Sequence, residues 1–141
     1  MVKIKIMKNK ILGLFLIFLL FHSCKQEKIS FIELKQFNLI DTSYLNKEWV
    51  INKHVNYIVK NYRNNTKTLK AMDSLVFSLA GDEPKNFTNY NITFYKYSNI
   101  TNVNHLKDNP RDLDRYSQMN DKVYRYCWIN GKFIGRSYEQ D

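Results

Sequence analysis

The longest apolar run in the chain, Ile11 to Phe21, is broken only by Gly13; it follows Lys8-Asn9-Lys10 and ends at His22-Ser23-Cys24. At about 1.5 Å per residue an eleven-residue helix reaches roughly half the ~30 Å hydrocarbon core, so the segment is too short to span a bilayer. A positive stretch, a short apolar stretch and a small residue before a cut site is the order of a secretory signal peptide. The portion from Met7 onward is complete in this respect, so Met7 is an alternative start.

Further along, the spacing changes. Residues 29–40 hold apolar side chains without a clean period and read as extended chain packing onto the domain. From Tyr44, the residues Tyr44, Ile51, Val55, Ile58 and Tyr62 recur at steps of three, four and seven, with Lys47, Lys53, Asn56 and Lys60 off the stripe. That spacing predicts an amphipathic helix, with Asp41, Thr42 and Ser43 as N-cap residues. After Asn64-Asn65-Thr66, Leu69, Met72, Val76 and Leu79 predict a second helix stopped by Gly81 and Pro84. One bent helix through Tyr62 and Leu69 is the alternative.

Tyr90 to Ser98 alternates, with Ile92 and Phe94 on one side and Thr93, Tyr95 and Tyr97 on the other, and predicts a strand. Asn109-Pro110-Arg111-Asp112 is the opening of a short helix over residues 110–118. Asn130-Gly131, between residues 123–129 and 132–138, predicts a two-residue type I′ hairpin. Continued without interruption, its register sets Trp128 opposite Phe133, Cys127 opposite Ile134, Tyr126 opposite Gly135 and Arg125 opposite Arg136. Two opposed arginines belong in water, so that face is placed outward and the Tyr124, Tyr126, Trp128 and Phe133 face inward. The expected fold is therefore α+β: two N-terminal helices on an antiparallel sheet of about three strands ending in a C-terminal hairpin. A cystatin-like arrangement is one form of it, by layer analogy.

Leu20-Phe21-His22-Ser23-Cys24 resembles a bacterial lipobox, with Phe21 and His22 in place of the commonest leucine and small residue and Ser23 keeping the small residue at the cut. The resemblance implies that the Cys24 thiol carries diacylglycerol and becomes the mature N-terminus, making the protein a lipoprotein of the cell envelope. By the usual sorting rule Lys25 leans toward the outer membrane if the host has one. Two or three acyl chains, at about 0.8 kcal/mol per buried CH₂, hold such an anchor stably. The domain plan is a cleaved signal at 1–23, a lipidated tether and extended lead-in at 24–40, and a single domain at 41–141.

Composition changes this picture little. The chain carries a net charge of +9, and losing Lys3, Lys5, Lys8 and Lys10 with the signal leaves +5. No Lys/Arg run follows Cys24, so nucleic acid is not an expected partner. With Cys24 lipidated, Cys127 has no partner for a disulfide and reads as a packed thiol.

Sites of chemistry are sparse. Past Cys24 there are only two histidines, His54 and His105, and no HExxH, CxxC or Gly-rich phosphate loop, so no cofactor and no metal are expected. Asp108, Asp112 and Asp114 with His105 are the best enzyme reading, but Asp112 and Asp114 point about 200° apart on a helix. The most suggestive surface interleaves aromatic and basic residues: Tyr95, Tyr97, Arg125, Arg136 and Tyr138, suited to clasping a protein partner. The expected function is non-catalytic protein binding in the envelope, of immunity or inhibitor type in one version. The alternatives are glycan or lipid binding by the same face, and an enzyme.

Overall fold

The computed structural model describes residues 27–113 and 121–138. The expected signal peptide, Cys24, Asp114 and most of the helix expected over residues 110–118 lie outside them.

A six-stranded mixed sheet dominates, formed by β1 (Ser30–Glu33), β2 (Leu39–Leu45), β3 (Glu48–Lys60), β4 (Asn89–Lys96), β5 (Lys122–Ile129) and β6 (Lys132–Tyr138). Among the described residues two α-helices accompany it, α1 (Thr66–Ala80) and the short α2 (Val103–Asp108). The expected pair of N-terminal helices on about three antiparallel strands is therefore wrong. The stretch read as a first helix is a hairpin: β2 and β3 pair antiparallel from Leu39 opposite His54 to Leu45 opposite Glu48. Asn46 and Lys47, with φ of 50° and 68°, form its turn. β3 then runs parallel to β4, joined through α1, and β4, β5 and β6 follow antiparallel. The parallel pair and the crossover helix rule out a cystatin-like meander around one helix.

The misreading has a physical cause. Trp49, Ile51, Lys53, Val55, Tyr57 and Val59 point to the α1 face of β3, and Val50, Asn52, His54, Asn56 and Ile58 to the other. Because both faces are covered around residues 55–59, all five are buried and the alternation vanishes. Val55, Ile58, Val59 and Tyr62 are left at helical spacing, while their β-branched and aromatic types favour the strand.

β1 pairs with the far half of β3, Ser30 opposite Lys60 and Glu33 opposite Tyr57. β1 and β2 thus share one edge of β3. Residues 34–38 stand against only residues 55 and 56, and this insert is pinned by Leu34 N donating to the Asn56 carbonyl at 2.8 Å and Asn56 Nδ2 donating to the Phe37 carbonyl at 2.8 Å.

Where local signals are strong the expectations hold. α1 begins at Asn65, whose side chain accepts from Thr68 N at 2.9 Å, and ends at Gly81. Its buried stripe is Thr68, Met72, Val76 and Ala80, rotated so that Leu79 is exposed. Asn130 and Gly131, with φ of 48° and 76°, make the expected turn between β5 and β6. The register beyond it differs from the expected one: a bulge between Cys127 and Trp128 sets Cys127 opposite Gly135, Tyr126 opposite Arg136 and Arg125 opposite Ser137. Gly135 takes φ of 152° there, backbone that side-chain-bearing residues avoid. The one-residue slip separates the two arginines and turns Arg136 to the α1 face. α2 lies before Pro110 and is capped by Asn102, which accepts from His105 N at 2.8 Å.

The core has two parts. Between the sheet and α1, Val55, Tyr57, Val59, Ile92, Phe94 and Tyr126 pack against Met72 and Val76. On the opposite face a smaller cluster joins Leu34, Ile58, Tyr95, Leu106 and Leu113. Among the described residues no helix is long and apolar enough to cross a membrane.

Candidate functional site

Of the residues expected to form one aromatic and basic face, Tyr95 and Arg125 line one groove, while Arg136 and Tyr138 lie on the opposite, α1 face of the sheet. Tyr95 is 3 % exposed, in the cluster away from α1. Tyr97, half exposed, carries Lys60 Nζ at 5.4 Å from its ring centroid. Arg125 lies with His54, Asn56 and Thr93 in a groove of about 400 Å³ on the face away from α1. Arg136 is on the α1 face, where Nη1 donates to both Asp73 oxygens at 2.6 Å and is held above its usual proton affinity by that contact. Tyr138 packs on Tyr124, ring centroids 5.1 Å apart. Asp73 also accepts from the buried Tyr126 hydroxyl at 2.6 Å, and burial first, then this bond, pushes the phenol well above its ordinary range. This cluster ties α1 to β5 and β6.

The expected acid/base group is partly assembled. His105 Nε2 lies 2.7 Å from Asp112 Oδ2, joining α2 to the segment after it, while Asp114 lies outside the described residues. Among the described residues no three His, Cys, Asp or Glu side chains converge on a metal site. Cys127 forms no disulfide among the described residues and lies on the face away from α1.

A different surface stands out. β4 pairs with β3 only from Asn52 onward, so the first residues of β3 are held by β2 alone. Thr88 sets the limit: its N donates to the Ile51 carbonyl at 2.8 Å, and Ile51 N donates to its Oγ1 at 3.1 Å. Beyond it the β2–β3 hairpin projects from the sheet. Tyr44 and Trp49 face each other across the strands, centroids 5.1 Å apart, and Trp49 is 68 % exposed. Ile40 and Thr42 lie on the same face, and Leu39 and Leu45 are exposed on the other. Tyr44, Leu45 and Trp49 stand in water at the protruding end, with Leu39 and Ile40 exposed further back along β2 opposite His54 and Lys53, and burial in this fold does not explain them.

A helical stripe through Tyr44 leaves Trp49 without a role. The available signal was Asn46-Lys47, with asparagine at a turn position that takes positive φ, between two stretches rich in β-branched and aromatic residues; lysine in place of glycine hid it.

No protein-family model matches the chain, and neither characterised proteins nor solved structures yield a similar one.

Proposed function

We propose that this chain is a lipid-anchored envelope protein whose projecting β2–β3 hairpin binds another envelope protein without catalysing a reaction. The observation that carries the reading is the exposed Trp49 packed against Tyr44 at a tip outside both parts of the core, with Ile40 exposed further along the same face. Tryptophan and tyrosine are the residue types that most often dominate binding energy in protein interfaces, because rigid rings bury much area at little entropic cost.

The placement of the tether supports it. The residues following Cys24 enter the fold through β1, whose Ser30 lies opposite Lys60 at the end of β3 away from the tip. The 13 residues of β3, at about 3.3 Å each, span about 40 Å. A diacylglyceryl group on Cys24 therefore holds the domain by one end and presents the hairpin at the other. A protein partner suits the tip better than a glycan, because Thr42 and Ile40 are the β2 residues that continue the face of the two rings and only Thr42 adds a hydroxyl there.

The full chain, extracted from membranes in mild detergent, is expected to retain one stoichiometric protein partner, and Trp49→Ala is expected to weaken that complex by about 30-fold or more, the effect of losing a hot spot of about 2 kcal/mol. Equal retention by Trp49→Ala and Tyr44→Ala would remove the hairpin from the reading. Mass spectrometry of the same material is expected to find diacylglycerol on the Cys24 sulfur and residues 1–23 gone.

A further inference from the structure

β2 has a neighbour on one side only. Among the described residues it pairs with β3 and with no other strand, so its outer edge is open. Thr88 fixes which backbone groups lie on that edge. Because Ile51 directs its N–H and its carbonyl to Thr88, it makes no ladder bond to Thr42, the residue opposite it in β2. Antiparallel pairs alternate between bonded and non-bonded, so Ile40, Thr42 and Tyr44 turn their N–H and C=O groups outward, while Leu39, Asp41, Ser43 and Leu45 spend theirs on β3.

The other edge strands are blunted and this one is not. β1 is four residues long. β6 carries Lys132 and Arg136 and is bent by the bulge at Gly135. Short length, positive charge and bulges are devices that keep an edge from pairing. β2 has none of them. It is seven residues long, regular in its pairing and without Lys, Arg or Pro, and its Leu39, Ile40, Tyr44 and Leu45 are each more than half exposed.

The strand also matches itself. Turned end for end about Thr42, it sets Leu39 opposite Leu45, Ile40 opposite Tyr44, Asp41 opposite Ser43 and Thr42 opposite Thr42. Each large apolar side chain meets another, the carboxylate meets a hydroxyl, and a threonine pair, which is favourable across strands, lies on the axis. Moving the axis by one residue loses this match: through Asp41 it opposes two carboxylates, and through Ser43 it sets Leu45 opposite Asp41. In the register about Thr42 the outward groups of Ile40, Thr42 and Tyr44 coincide, and each of those pairs exchanges both of its N–H···O bonds.

We infer that two copies of this chain join antiparallel along β2, with the two-fold axis at Thr42, and make one continuous sheet. A two-fold axis normal to the sheet keeps each face on its own side, so the Tyr44 and Trp49 rings of both copies lie on one side of the joined sheet. The inference concerns the backbone edge and not the ring face offered to an envelope partner, so it goes beyond that reading and stands or falls separately. A contact of this length is small, which places the pair among weak, reversible dimers.

The test uses the full chain isolated from membranes in mild detergent. Cysteines are introduced along β2, and disulfide-linked dimer is measured after mild oxidation, with the unaltered chain as the control for Cys127. Thr42 and its copy lie about 5.5 Å apart between Cα atoms in this register, within disulfide reach, so Thr42→Cys is expected to cross-link. Ile40→Cys and Tyr44→Cys, each about 14 Å from its own copy, are expected to cross-link only when the two variants are mixed. Sedimentation equilibrium in density-matched micelles is expected to show monomer and dimer in exchange. Thr42→Lys puts two ammonium groups on the axis and is expected to weaken the dimer by about tenfold or more, as is Thr42→Glu, and an equimolar mixture of the two is expected to restore it. Trp49→Ala is expected to dimerise as the unaltered chain does, whether or not it retains an envelope partner. A foreign strand on this edge in place of a second copy would leave the purified chain monomeric and Thr42→Cys unlinked, which overturns the inference. Cross-linking of Ile40→Cys alone to the level of Thr42→Cys, or undiminished dimer in Thr42→Lys, overturns it equally.

Discussion

The two halves of β3 use the same residue types for opposite ends. Around residues 55–59 the strand has β4 on one side, β1 and the 34–38 insert on the other, α1 on one face and the α2 cluster on the second, and every side chain is buried. Around residues 48–50 it has only β2, and Trp49 stands in water. A strand needs a sheet neighbour to form, but large apolar side chains on it need not find a core. Those of the first half are left outside the core, and those of the second half hold the chain together.

The largest way to separate the halves is alkaline pH. Burial raises the phenols of Tyr57, Tyr90 and Tyr126 above their ordinary value, and raises Tyr62 to about 12, with its neighbours Tyr138 and Tyr124 adding to the effect. A group with a raised folded-state pKa contributes stability in full below its unfolded value, here about pH 10, and loses it as pH climbs through the interval above. All four tyrosines belong to the core or pack against it, so the domain is expected to unfold cooperatively above pH 10, tyrosinate absorbance rising together with loss of near-UV circular dichroism. Tyrosine ionisation completed near pH 10 in an intact fold would contradict the assigned packing.

Next is a deletion in each half. Ile58 is fully buried, and Ile58→Ala is expected to cost about 2–5 kcal/mol in urea unfolding. Trp49→Ala removes a larger side chain and is expected to change stability by no more than about 0.5 kcal/mol. Similar costs at the two positions would erase the distinction.

This contrast also explains how much could be read from the sequence. α1 was legible because one side is wet, so its stripe has a period, and because Asn65 and Gly81 mark its ends. β4 and the β5–β6 turn were legible through Ile92 and Phe94 and through Asn130-Gly131. β3 was not, since burial on both faces is a tertiary fact that removes the alternation a strand is recognised by. The bulge at Gly135 was equally hidden, and with it the position of Arg136: one added residue moved an arginine read as solvent-facing onto Asp73. Of the candidate surface, nothing was legible once Tyr44 had been given to a helix.

Between core and tip in size is the tie from α1 to the sheet. Asp73→Ala removes the acceptor of the buried Tyr126 hydroxyl and is expected to cost about 1–3 kcal/mol. Arg136→Ala leaves that bond in place and, because the guanidinium is partly in solvent, is expected to cost at most about 1 kcal/mol. Equal losses would mean that the ion pair, and not the phenol, is what Asp73 serves.

The smallest effect is at the tip's own turn. Lys47 holds φ of 68°, where a side chain crowds the backbone, and Lys47→Gly restores the asparagine-glycine pair already used between β5 and β6. The gain is expected to be about 0.5 kcal/mol, because glycine's greater freedom in the unfolded chain offsets part of the relief. Its location matters more than its size. A tip held by one neighbouring strand opens by itself, without unfolding of the core, so the gain belongs to that local opening. Hydrogen exchange is expected to slow for the amides of residues 43–50 while those of residues 55–59 and the urea midpoint stay where they are. Slowing spread evenly over both halves would show that the hairpin opens only when the whole domain does, and that β3 is a single cooperative unit from Glu48 to Lys60.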